Sequence, residues 1–146
     1  METLSPLGKV FHAGTLAGNP LATAAGVAVL EQLTPEVYDL LRDRARRLSE
    51  SLTDAFRAAG VAAAFPVVGT LVGMYFGDTV PPVDFEGAKR TDEQLYARFF
   101  HAMLDRGVAL APGAYEALFV GLAHDDAVLD TIAAAATESA RVAAAA

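Results

Sequence analysis

Residues 12–33 read HAGTLAGNPLATAAGVAVLEQL, a glycine-punctuated loop running into an alanine-rich apolar stretch. At the junction Asn19 is a strong helix N-cap, and Pro20 suits the first helical position, where its missing N–H is no loss. A helix is therefore predicted across residues 21–33. The loop ahead of it can offer backbone N–H groups and the Thr15 hydroxyl to an anion, beside the partial positive charge of a helix start. An ordinary turn is the other reading of the same residues, because glycine-rich approaches to helices are common.

Upstream, residues 1–18 hold Pro6, Gly8, Gly14 and Gly18 and neither a helical nor a strand period, so they read as a loop. Downstream, Thr34-Pro35 repeats the start signal. Val37, Leu40, Leu41, Leu48, Leu52 and Phe56 then recur at helical spacing up to a stop at Gly60. Arg42, Asp43, Arg46, Arg47 and Glu50 fall on the wet side of that helix, and the run from Arg42 to Arg47 reads as a solvated face interleaved with acids. Residues 61–68 and 71–76 are apolar and partly β-branched around Gly69-Thr70, which predicts two strands in a hairpin. Residues 77–90, with Pro81-Pro82 and several charges, read as an exposed loop.

Thr91 with Gln94 fits a capping box for a helix carrying Leu95, Phe99, Ala102 and Met103 and ending at Gly107. Short strands are predicted at 108–111 and 118–122, on either side of Pro112-Gly113. Asp125 or Asp126 caps a last alanine-rich helix toward Arg141. This order predicts an α+β unit, with helices packed on a short, largely antiparallel sheet.

The 146 residues are 53% hydrophobic and 20% charged, in the range of one globular domain. A formal charge of −7 disfavours nucleic acid and anionic lipid as partners, since both attract positive surfaces. The absence of cysteine removes disulfides, thiolate metal sites and cysteine nucleophiles. No signal peptide is read at the N-terminus and no apolar run reaches membrane-spanning length, so a cytoplasmic location is expected. His12, His101 and His124 share no metal-ligand spacing, and structural roles are expected for His101 in a helix and for His124 at a strand end. Ser5, Ser49, Ser51 and Ser139 lack a nucleophile-elbow context.

The run from His12 to Leu33 resembles the segment that follows the lysine-bearing region in class III, fold type I pyridoxal-phosphate enzymes. Within that class, AGTLAGNP is more similar to the aminomutase pattern than to the Gly-Thr-Phe-Gly-Gly-Asn-Pro of aminotransferases. The resemblance to the glutamate-1-semialdehyde 2,1-aminomutase family continues in order through LTPEVYDLL, VGTLVGMYFGD, AKRTDEQLYARFFHAMLDRGVALAP and YEALFVGLAHDD, covering nearly the whole chain.

The resemblance implies a division into an opening loop and interdomain helix of the large domain, residues 1–33, and a small C-terminal domain, residues 34–146. It implies that Gly14 and Thr15 bind the phosphate of pyridoxal 5′-phosphate across a homodimer interface. It implies that Glu116 lies near the amino groups of substrate and cofactor, against the plainer reading of a solvated turn carboxylate. The activity implied for the complete protein is conversion of a small-molecule substrate, glutamate-1-semialdehyde, to 5-aminolevulinate for tetrapyrrole synthesis. That chemistry needs a lysine amine. Neither Lys9 nor Lys89 matches the family's position, so no catalytic residue is assigned, and the chain is expected to be an inactive C-terminal portion. Residues 21–33 pack on the large domain in that family, so the isolated chain is expected to expose an apolar patch and to self-associate. Another class III aminotransferase, or a non-catalytic dimerisation or interaction module, are the alternatives.

Overall fold

The computed structural model describes residues 2–145. The chain divides into two compact units, one ending at Pro35 and the other beginning at Glu36.

In the first unit the segment before residue 19 folds back on itself. Ser5 N–H donates to Val10 O (2.9 Å) and Val10 N–H to Thr3 O (3.0 Å). Helix α1, Pro20–Gln32, starts where the Asn-Pro signal puts it, with Asn19 Oδ1 accepting from Leu21 N–H and Ala22 N–H at 3.1 Å each. These bonds satisfy two of the donors that every helix start leaves open. None of its residues is buried, and Leu21, Val27, Val29 and Leu30 are exposed. An apolar surface of this extent promotes association in water.

The second unit is α+β. Helix α2, Pro35–Ala58, buries Leu41, Ala45, Leu48, Leu52, Ala55 and Phe56 as one stripe. Leu40, expected on that stripe, is exposed, and the alanines that take part were not singled out from the sequence. Gly60, at φ 71°, ends the helix as C′ residue: its N–H donates to Arg57 O and the Val61 N–H to Phe56 O. That 5→2 and 6→1 pair is the bonding of a Schellman motif, and the positive φ is what demands glycine.

The predicted hairpin forms, but in two pieces. Strand β1, Ala63–Ala64, pairs antiparallel with β4, Tyr75–Phe76, and β2, Val67–Val68, with β3, Leu71–Val72. All four pairings, Ala63 with Phe76 through Val68 with Leu71, obey one register. The break lies at Pro66, which has no N–H to give to a ladder, although its carbonyl still accepts from Gly73 N–H at 2.9 Å. At the turn only Gly69 has positive φ (63°), the sign pattern of a type II′ turn.

Strand β5, Leu118–Phe119, adds to β3 antiparallel, so the sheets are β1-β4 and β2-β3-β5. The strand expected at 108–111 is absent. That stretch is bonded to a helix instead of a ladder: Val108 N–H goes to Met103 O, and Ala111 O accepts from the Tyr96 hydroxyl. Within the predicted loop a four-residue helix forms, α3, Phe85–Ala88, capped by Asp84, whose Oδ1 accepts from Gly87 N–H.

Helix α4, Glu93–Leu104, is capped by Asp92, one residue beyond the expected Thr91. Asp92 Oδ1 accepts from Leu95 N–H (2.9 Å), while Thr91 Oγ1 accepts from Phe76 N–H (2.8 Å) and ties the helix start to β4. Asp92 carries the better acceptor for a helix start, which favours it as the cap. Helix α5, Asp126–Ala144, is capped by Asp125.

Phe56 stands at the centre of the core, its ring 4.9 Å from Phe99, 5.3 Å from Phe76 and 5.4 Å from Phe65. Arg44 departs from the solvated face expected of it. Its Nη1 donates to the carbonyls of Gly121 (3.2 Å) and Leu122 (2.8 Å), and Arg47 pairs with Asp126 and Asp130 at 2.6 Å each, so α2 is tied to the start of α5. Arg42 and Arg46 do sit on the outer face, paired with Asp39 and Asp43.

Helix α5 buries Ala135, Ala136, Ala140 and Ala143, and among them Ser139, whose hydroxyl is fully buried without a hydrogen-bond partner. A buried hydroxyl with no partner costs free energy that a methyl group does not. Ser139→Ala is expected to stabilise this unit by about 1 kcal/mol, read as a raised urea midpoint at unchanged slope. A lowered midpoint would reveal that the hydroxyl is in fact bonded.

Candidate functional site

The residues singled out from the sequence fall into both units, Gly14 and Thr15 in the first and Glu116 in the second.

Gly14 and Thr15 lie exposed in the loop that leads to α1. Ala17 N–H donates to Gly14 O and Asn19 N–H to Leu16 O, both at 3.0 Å, which folds residues 14–19 into consecutive turns. Gly18, at φ 77°, reverses the chain just before the cap. A hydroxyl and turn amides at the start of a helix suit an anionic oxygen, because such amides and the aligned helix dipole both favour negative charge. Lys9 is exposed in the same unit.

Glu116 is exposed at the end of the turn before β5, its N–H donating to Gly113 O at 3.4 Å. Its chain neighbour Tyr115 donates its hydroxyl to Glu93 Oε1, and Tyr96, buried, is bonded through its hydroxyl to Ala111 O. Burial, and next the negative charge of Glu116, push the Tyr96 phenol above its ordinary value of 10.0. The bond to Glu93 does the same for Tyr115, with desolvation and the Glu93 charge adding to it.

Both phenols are thus more firmly protonated in the folded chain than in the unfolded one. Any stability they contribute is complete below about pH 10 and is lost as the pH rises through their higher folded values. Urea midpoints at pH 9 and pH 11 are expected to fall less in the Tyr96→Phe/Tyr115→Phe double variant than in the parent. An equal fall would assign the alkaline loss to other groups.

Tyr115 also lines a cleft of about 350 Å³ with Tyr75, Pro82, Val83 and Phe85. A separate cleft of about 370 Å³, whose lining includes Met74, Met103, Leu110, Val120 and Ile132, is apolar and lies apart from the acids. His124 lines it, with Nδ1 accepting from Gly121 N–H at 3.0 Å. It does not end a strand, since β5 stops at Phe119. Among the described residues no group of three histidine or acid side chains could hold a metal. No described helix is long and apolar enough to cross a membrane.

No family model matches the sequence. Solved structures do. A β-phenylalanine aminotransferase from Variovorax paradoxus superposes with a TM-score of 0.74 at 28% identity over 92% of this chain. The fold is that of transaminases. A transaminase solved with pyridoxal phosphate bound gives 0.73 at 19% identity over 97% of this chain. An omega-transaminase from Sphaerobacter thermophilus gives 0.64 at 24% identity over 90%. The chain spans about a third of the length of these proteins: 31%, 32% and 31% of their chains. The α+β architecture read from the sequence is that of a portion of such enzymes.

A pyridoxal-phosphate site needs donors for the phosphate and an amine for the aldehyde. The residues around Thr15 suit the phosphate. The amine is not matched: Lys89 Nζ is paired with Glu86 at 2.7 Å and lies 5.5 Å from the centre of the Phe85 ring, and Lys9 is an exposed loop residue.

Proposed function

We propose that the chain is the small C-terminal portion of a pyridoxal-phosphate enzyme that moves amino groups, and that its parent converts glutamate-1-semialdehyde to 5-aminolevulinate in tetrapyrrole synthesis. The observation that carries the broader reading is the transaminase fold over 92% of the chain at 28% identity. The aminomutase reading is supported by Thr15-Leu16-Ala17 and by the stretch from Ala111 to His124, which resemble that branch of the family. In this account the exposed turn at Gly14 and Thr15 receives the phosphate of a cofactor held by the other subunit of a cytoplasmic homodimer. Glu116 receives a cationic amine. Bound there, the cofactor supplies the electron sink, and this chain supplies binding and orientation while the lysine comes from the large domain.

Residues 1–33 then belong to the large domain and residues 34–146 to the small one. The apolar surface of α1 fits a helix that is covered in the assembled enzyme.

A plain aminotransferase is the second reading, favoured by the fact that the three structural neighbours are named aminotransferase or transaminase. The two differ in stoichiometry. The assembled enzyme, given glutamate-1-semialdehyde with no added amino acceptor, is expected to yield 5-aminolevulinate catalytically. Turnover that depends on an added keto acid, with no 5-aminolevulinate, would establish the aminotransferase instead.

A further inference from the structure

The turn that carries Glu116 is fastened to one face of α4 at two points. Glu93 and Tyr96 are three residues apart and therefore neighbours on that helix. Tyr96, only 2% exposed and with its ring centre 5.5 Å from that of Phe76 in a tilted pair, donates its hydroxyl to Ala111 O, just before the turn. Glu93 accepts from the Tyr115 hydroxyl, one residue before Glu116. Glu116 N–H closes the turn on Gly113 O at 3.4 Å.

We propose that Tyr96 and Tyr115, acting through α4, are positioning residues that hold the Glu116 carboxylate in one place so that it meets a cationic amine without first being ordered. The inference rests on the reading of Glu116 given above. Ordering a turn at the moment of binding subtracts from affinity, and a turn ordered beforehand avoids that cost. Burial raises the Tyr96 phenol most, and the Glu116 charge adds to it, in keeping with their closeness.

The test uses the assembled holoenzyme with Tyr115→Phe, Tyr96→Phe and Glu116→Gln, read by amide hydrogen exchange and by KM against kcat for the amine substrate. Losing one hydrogen bond of ordinary strength corresponds to about a fivefold change. Tyr115→Phe, at an exposed position that does not threaten the fold, is expected to speed exchange at residues 114–117 and to raise KM about fivefold, with kcat and α2 exchange unchanged. Tyr96→Phe is expected to act in the same direction and more strongly. If Glu116→Gln raises KM while neither tyrosine variant changes exchange or KM, the positioning role is overturned and the reading of Glu116 stands. If Glu116→Gln leaves KM unchanged, that reading fails and the inference falls with it, whatever the exchange shows.

Discussion

Truncating Phe56 to alanine is expected to unfold the second unit or bring it to the edge of unfolding. The ring is 1% exposed and lies within 5.4 Å of three other phenylalanine rings, so its removal leaves a hole bounded by Phe65, Phe76 and Phe99. Such holes cost the lost transfer energy of the ring plus the contacts its neighbours no longer make, together about 3–5 kcal/mol. A small domain has only about 5–15 kcal/mol to lose. Denaturation in urea followed by far-ultraviolet dichroism checks this, with Phe56→Leu as a milder companion expected to lose clearly less. A loss under about 1 kcal/mol in the alanine variant would mean that the four rings do not form one packed cluster.

The second large effect is chemical. Mixed with pyridoxal phosphate, the isolated chain is expected to catalyse no amino-group transfer, and borohydride reduction is expected to leave no stoichiometric adduct. Lys89 is already held by Glu86 and the Phe85 ring, and Lys9 is exposed in the first unit, whereas the cofactor's chemistry needs an amine positioned against it. Intact-mass spectrometry after reduction, with peptide mapping of any adduct, makes the measurement. A single fully occupied lysine accompanied by turnover would overturn both the prediction and the assignment of the chain as a dependent portion.

Signals confined to a few neighbouring residues were legible in the sequence. Asn19-Pro20, Gly60 and Gly107 each act through a bond that spans one helical turn, and each marks a helix end in the structure. Partners distant in the chain were not legible. A strand at 108–111 has the right residues, but strand formation needs a neighbour with open N–H and C=O groups, and here helix α4 supplies the bonds. Arg44 reads as one more charge on a wet face because Gly121 and Leu122, which receive it, lie 77 and 78 residues further on. At the candidate site, the turn at Gly14 and Thr15 was recognisable from glycine spacing next to a helix cap. Glu116 stood out only by resemblance, and the two tyrosine bonds that fasten its turn join residues 15 and 22 apart, which no local pattern reveals.

The shared register of the two hairpin ladders makes the turn at Gly69-Thr70 intolerant of length change. Adding one residue to either arm would slide every facing pair from Ala63 to Phe76 by a single step. With the added residue in the 71–76 arm, Val72 and Phe76, now interior, would trade places with Leu71 and Tyr75, and the phenylalanine cluster would lose a member without a single side chain having been altered. Insertions in this arm should therefore be far more damaging than insertions in the 77–84 stretch, where no ladder would be thrown out of step.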